Sequence, residues 1–82
     1  MITTSDRVYE FTELAMQKCR VHAFGDIAQQ LDDALHLGSS GLEILGAIRA
    51  VFVARRTELE LVLDKHQVQD VIQYVNTVFG TK

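Results

Sequence analysis

The sequence predicts an all-α domain of four helices, one of them long, over residues 1–82. Three observations support this fold class. Apolar residues recur at the 3.6-residue period of an amphipathic helix, and no two segments alternate as a pair of strands would. The apolar stripe also moves to the opposite side of the helical wheel near Gly25 and near Asp64. Because a stripe reverses only where one helix ends and another begins, these positions divide the chain.

The first helix is predicted over residues 5–23. Thr4 or Ser5 can accept a hydrogen bond from a backbone amide that the first turn leaves free. Gly25 can take the left-handed conformation that commonly ends a helix. The tripeptide Phe24-Gly25-Asp26 is therefore interpreted as a stop, followed by a residue that can cap the next helix.

The second helix is predicted over residues 26–37, with its apolar stripe opposite to that of the first helix. A bent but continuous helix through Gly25 is the alternative. It is suggested by apolar residues at alternating spacings of three and four, which are Val21, Phe24, Ala28, Leu31 and Leu35. The reversal of the stripe favours two helices over one.

The third helix is predicted over residues 41–63. Ser40 and Glu43 have the spacing of a capping box at its start. The apolar stripe continues past Arg55, and this continuity favours one uninterrupted helix.

Two alternatives to the uninterrupted helix remain open. Thr57 and Glu60 also have capping-box spacing, so a new helix could begin after Arg56. The alternation of glutamate and leucine over residues 58–63 is instead typical of a strand. A single strand would have no partner for its backbone, and the continuous stripe argues against a break.

The fourth helix is predicted over residues 65–79, where the stripe lies opposite to that of the third helix. Asp64 and Gln67 have capping spacing at its start. Gly80 supplies a left-handed stop at its end.

The length of the third helix predicts a partner. A helix over residues 41–63 would span roughly 36 Å, whereas a compact domain of this size has a diameter of roughly 30 Å. We therefore expect a symmetric homodimer, with a monomeric bundle as the alternative. The predicted interface consists of Val51, Phe52, Val53, Arg55, Leu59, Leu61, Val62 and Leu63.

Composition indicates which classes of partner molecule are disfavoured and which cellular compartment is expected. Eight Lys and Arg oppose eleven Asp and Glu, for a net charge of −3, which disfavours nucleic acids and anionic membranes as partners. No stretch approaches the roughly 18 apolar residues of a membrane span. The first residues lack the basic start and apolar segment of a signal peptide. With a single cysteine, we expect a soluble, cytoplasmic chain without an internal disulfide.

A polar group on the second helix is the main candidate site. Asp32, Asp33 and His36 share a face, because residues three and four apart are neighbours on a helix. A metal site would take further ligands from another helix, and none is evident, so we predict no metal and no cofactor. We interpret these three residues, together with Glu58 and Glu60, as candidate contacts for a protein partner.

Two further groups contain residue types that can take part in catalysis or binding. Cys19 and His22 are close enough on one helix to act as nucleophile and base, but nothing marks an oxyanion hole or an orienting group. They are interpreted as a small buried thiol beside a histidine. Arg55 lies on the apolar face, where it could cover core, pair with an acid across a dimer axis or receive an acidic partner.

These observations predict a non-enzymatic protein-interaction module with an acidic surface, of the immunity, antitoxin or adaptor kind. The first alternative is a small-ligand-binding helical protein with an apolar pocket bounded by Arg55, His22 and His66. The second is a DNA-binding regulator, since residues 26–31 resemble the opening of a helix-turn-helix. That motif requires a turn glycine four residues after Ala28, where this chain has none.

One segment resembles a known group of proteins. It runs from Ala34 to Arg49 and carries Ala-Leu, then Gly-Ser, then Glu-Ile-Leu, then Arg. This pattern is similar to a segment of small, uncharacterised bacterial all-helical proteins. The resemblance implies a helical fold and a bacterial source, and it implies no activity and no binding residue.

Overall fold

Five α-helices lie in residues 4–37 and 40–80, the part of the chain that this computed structural model describes, and no strand occurs in those ranges. The all-α prediction is confirmed. The prediction of four helices is wrong, because the segment predicted as one helix over residues 41–63 contains two. The helices are α1 (Ser5–Val21), α2 (Gly25–Leu35), α3 (Gly41–Ala54), α4 (Arg56–Val62) and α5 (Lys65–Val78).

Side-chain caps begin three of these helices where the sequence predicts them. The side-chain oxygens of Thr4, Ser40 and Asp64 each accept a backbone amide in the first turn of α1, α3 and α5. Such a cap stabilises a helix by about 1 kcal/mol. Gly80 follows α5 with φ 71°, which is the predicted left-handed stop. The predicted joint at residues 38–39 lies outside the described residues.

The joint between α1 and α2 is built differently from the prediction. Ala23 adopts the left-handed conformation with φ 67°, and the Phe24 amide donates to the Cys19 carbonyl at 2.7 Å. This is the six-to-one hydrogen bond of a Schellman motif, with alanine in the position that glycine usually takes. Gly25 instead begins α2, and Phe24 precedes it without a side-chain cap, so the predicted cap by Asp26 is wrong.

A second break, at Arg55, divides the segment that the sequence predicts as one long helix. Arg55 has φ −114° and ψ 27°, and α4 begins at the next residue. The bend turns α4 against α1 and α5 and leaves Leu59 with 0% exposure. Burying a leucine side chain contributes about 2 kcal/mol. This burial favours the bend over a straight helix that would carry Leu59 into solvent.

The bend keeps the domain within 34 × 27 × 20 Å, with a radius of gyration of 11.5 Å. No part of a long helix extends beyond the globule, so the length argument for a dimer does not apply to the bent chain. All five helices contribute to one core. Its largest side chains without exposure are Phe52, Ile27, Leu31, Ile48 and Leu59. Among the described helices, none is long and apolar enough to cross a membrane.

Candidate functional site

An open groove of about 310 Å³ lies between α1, the end of α2 and the start of α3. It is lined by Tyr9, Glu13, Leu35, His36 and Ile44. Three of these side chains, Tyr9, Leu35 and Ile44, are half-buried and pack against the core. The groove therefore has an apolar floor, with Glu13 and His36 at its rim.

The floor of the groove is formed by residues at the edges of buried stripes. Tyr9 follows the buried Val8, and Leu35 follows the buried Ala34. Because successive residues are about 100° apart on a helix, each neighbour of a core residue faces partly outward. Sequence reasoning assigned no role to Tyr9 or Glu13. The pattern that could have identified these two residues is an aromatic and a carboxylate side chain four residues apart, at the edge of the apolar stripe of α1.

Carboxylates extend from the groove along α1. An adjoining cavity shares Tyr9 and Glu13 with the groove and is lined also by Asp6 and Glu10. The guanidinium of Arg7 lies 3.9 Å from the Glu10 carboxylate, and both side chains are 69% exposed. Solvent screens such an exposed pair. The groove thus has a negatively charged surface beside its apolar floor.

His36, at the rim of the groove, contacts Asp32, as their spacing predicts. His36 Nδ1 donates to the Asp32 backbone carbonyl at 2.8 Å and lies 3.5 Å from Oδ1 of the same residue. A carbonyl can only accept, so Nδ1 carries the proton in this hydrogen bond. Asp33 is not part of the groove lining, and its carboxylate accepts from the Gln29 side-chain amide at 2.8 Å.

The other two predicted partner contacts, Glu58 and Glu60, belong to ion pairs and do not line the groove. Glu60 Oε2 accepts from Arg56 Nε at 2.8 Å. Arg56 also donates to the side chain of Gln69, and this bond ties α4 to α5. Both carboxylates are therefore paired with arginines at or next to the start of α4.

Arg55 joins α2 to the break between α3 and α4. Its Nη2 donates to Asp26 Oδ2 at 2.8 Å, and its Nε donates to Glu58 Oε2 at 2.9 Å. The hydrogen bond from Arg55 lowers the pKa of Asp26. The pKa of Glu58 is lowered first by its own backbone amide and then by Arg55. Arg55 thus pairs with two acids of its own chain, a role that differs from the predicted pairing across a dimer axis.

The residues predicted for the dimer interface lie in three different environments. Phe52 and Leu59 have 0% exposure in the core, so they cannot line a surface between two bent copies. Val53 and Leu61 are 55% and 74% exposed. The remaining four are half-buried, namely Val51, Arg55, Val62 and Leu63.

Cys19 and His22, the pair considered as nucleophile and base, lie in different environments. Cys19 is buried, and desolvation raises the pKa of its thiol, which disfavours the nucleophilic thiolate. His22 is exposed at the C-terminal cap of α1. In residues 4–37 and 40–80, no group of three or more His, Cys, Asp or Glu is arranged to hold a metal ion.

No family model, no curated protein and no solved structure matches this chain. The resemblance of residues 34–49 to small bacterial helical proteins therefore stays a prediction. Function must be inferred from the groove, from the charges around it and from the apolar side chains that the fold leaves exposed.

Proposed function

We propose that this chain is a non-enzymatic protein-interaction module, of the immunity, antitoxin or adaptor kind, that binds a basic amphipathic segment of another protein. The segment would lie in the groove between α1, α2 and α3. The observation that carries the proposal is an apolar floor of Tyr9, Leu35 and Ile44 bordered by carboxylates. An apolar anchor flanked by Lys or Arg complements such a surface.

Charge and shape both favour a peptide-like occupant. Glu13 borders the groove and the adjoining cavity, and Asp6 and Glu10 continue the negative surface along α1. The net charge of −3 adds a long-range attraction for basic partners. The groove is open to solvent, which suits side chains presented by a partner helix.

Isothermal titration calorimetry with two synthetic helical peptides tests this proposal. One peptide carries leucines at helical spacing with lysines at the remaining positions, and the other replaces every lysine with glutamate. We expect the lysine peptide alone to bind. Glu13→Gln should weaken that binding about fivefold, the factor that corresponds to about 1 kcal/mol.

Glu60→Gln is the matched control, because it removes the same charge from a carboxylate outside the groove. We expect it to leave the affinity for the lysine peptide unchanged. Equal affinity for both peptides, or equal effects of the two substitutions, would contradict the proposed site.

We also propose that the chain acts as a homodimer. Support comes from Val53 and Leu61, which expose apolar side chains on α3 and α4. Multi-angle light scattering at tens of micromolar should give twice the chain mass of 9.2 kDa. A single-chain mass at that concentration would refute the dimer.

A small apolar ligand is the second candidate occupant of the groove. The volume of about 310 Å³ falls within the range of small-molecule pockets and favours it. The lining differs from the predicted pocket, since Arg55, His22 and His66 take no part in it. The fluorescent probe anilinonaphthalene sulfonate tests this alternative. The small ligand is favoured if three results are obtained together: the probe binds the parent chain, the substitution Ile44→Ser abolishes probe binding, and the lysine peptide does not bind.

A further inference from the structure

The break at Arg55 interrupts a stretch whose sequence suits one helix. No Gly or Pro occurs in residues 47–79. The helical hydrogen bonds also continue on both sides of Arg55. Its amide donates to the Val51 carbonyl at 2.8 Å, and its carbonyl accepts from the Leu59 amide at 3.0 Å. A change in the backbone dihedrals of this one residue is enough to join α3 to α4.

Contacts with other helices hold the bend. Arg55 binds Asp26 of α2, and Leu59 is buried where α4 packs against α1. The local sequence does not require it, because Ala, Arg and Thr are all compatible with a helix interior. The local ion pair of Arg55 with Glu58, three residues apart, is equally compatible with a continuous helix. If α4 and α5 leave their place on the body of the domain, the contacts that favour the break are therefore lost.

A straight helix would also assemble a second stripe, apolar except for the hydroxyl of Thr57. On such a helix, five residues that are exposed in the bent chain lie within about 100° of one another. We call them the hinge stripe, and they are Ala50, Val53, Ala54, Thr57 and Leu61. In the bent chain, the break separates the three residues on α3 from the two on α4. The complete stripe therefore exists only when α3 and α4 are continuous.

We propose that the homodimer forms by exchange of the arm, defined as α4 and α5, between two copies in which α3 and α4 form one straight helix. This inference rests on the proposed homodimer and specifies its structure. Each arm would take, on the other copy, the place that it occupies in the single chain, so Leu59 stays buried. The two straight helices would cover each other's hinge stripe. A second copy is the favoured occupant because exchange both creates the stripe and supplies its cover.

Two substitutions at Arg55 separate exchange from ordinary surface pairing. Arg55→Ala and Arg55→Gly delete the same contacts with Asp26 and Glu58. The two variants differ in helix propensity, because alanine favours the helical state over glycine by about fivefold in equilibrium constant at each helical position. Because an exchanged dimer contains two hinges, Arg55→Ala should dimerise about 25-fold more tightly than Arg55→Gly in sedimentation equilibrium.

Cross-linking within the dimer fraction gives an independent readout. Arg49 on α3 donates to Asn76 on α5 at 2.8 Å, so this pair joins the body of the domain to the arm. The variant Arg49→Cys with Asn76→Cys, in a Cys19→Ala background, would be treated with a short bismaleimide. Exchange predicts covalent dimers on a denaturing gel. An ordinary dimer would be linked only within each chain and would run as a monomer.

Covalent dimers, together with tighter dimerisation of Arg55→Ala than of Arg55→Gly, would support the exchange. Equal dimerisation of the two variants, with links confined to single chains, would overturn the exchange and leave the homodimer standing. Monomers in the parent chain and in both variants would overturn the homodimer and the exchange together. Circular dichroism of each variant confirms that helical structure is retained before the comparison is made.

Discussion

The two interior breaks, at Ala23 and at Arg55, end a helix by different means. At Ala23 the backbone turns left-handed and a Schellman hydrogen bond closes the joint. At Arg55 the φ angle stays negative at −114°, and the bend is accompanied by an ion pair to Asp26 and by burial of Leu59. The first break is built into the local backbone. The second is imposed by packing, so it depends on residues that are distant in sequence.

The largest expected effect comes from removing the burial that imposes the second break. Leu59→Ala should lower the free energy of unfolding by about 2–5 kcal/mol, because it leaves a cavity in the core. Leu61→Ala makes the same chemical change two residues away on α4, where the side chain is 74% exposed. Its effect should stay within about 0.5 kcal/mol. Urea unfolding of the two variants measures both, and equal losses would contradict the packing described for α4.

A smaller effect of opposite sign is expected at the first break. Ala23 holds a left-handed conformation that costs about 1 kcal/mol for a residue with a Cβ. Ala23→Gly should therefore raise the free energy of unfolding by about 1 kcal/mol. Ala50→Gly, the same substitution at an exposed position inside α3, should lower it by about 1 kcal/mol. Thermal unfolding would detect both shifts, and a loss of stability in Ala23→Gly would refute the left-handed joint.

The smallest expected effect is the pH dependence of the ion pairs at Arg55. Asp26 and Glu58 have pKa values lowered from the ordinary 3.8 and 4.5. A lowered pKa in the folded state contributes stability that is present above the ordinary pKa and is lost as the pH falls through the lowered one. Stability should thus decline below about pH 4.5. The decline should be shallower in Asp26→Asn, and salt should weaken the difference because the pair is exposed.

If acid unfolding of Asp26→Asn follows the same curve as that of the parent chain, the pairing of Asp26 with Arg55 contributes nothing to the bend. Asp64 provides a comparison site, because its pKa is lowered by the His66 backbone amide rather than by Arg55. Asp64→Asn should alter the pH dependence without changing the oligomeric state.

The sequence predicts those elements whose cause is local. The caps at Thr4, Ser40 and Asp64 follow from the residues beside them, and so does the stop at Gly80. The exception is the first joint, where Ala23 takes the left-handed conformation predicted for Gly25, and the Schellman bond runs from the Phe24 amide to the Cys19 carbonyl.

The sequence does not predict features that require two distant segments to meet. The stripe past Arg55 keeps its helical phase in the sequence, whereas the packing of α4 against α1 and α5 that accompanies the bend joins residues that are distant along the chain. The groove joins Tyr9 of α1 to Ile44 of α3, and no spacing rule relates residues on different helices. His36 and Asp32 were found because their contact is made within one turn.

Amide hydrogen exchange across the second break distinguishes a helix broken at Arg55 from a continuous one. In the bent, monomeric chain, the amides of Arg56 and Thr57 begin α4 and should exchange rapidly, as free first-turn amides do. Arg55 and Leu59, whose amides donate to the carbonyls of Val51 and Arg55, should be protected. Uniform protection from Arg55 to Leu59 in the monomer would mean one continuous helix and would contradict a break imposed by packing.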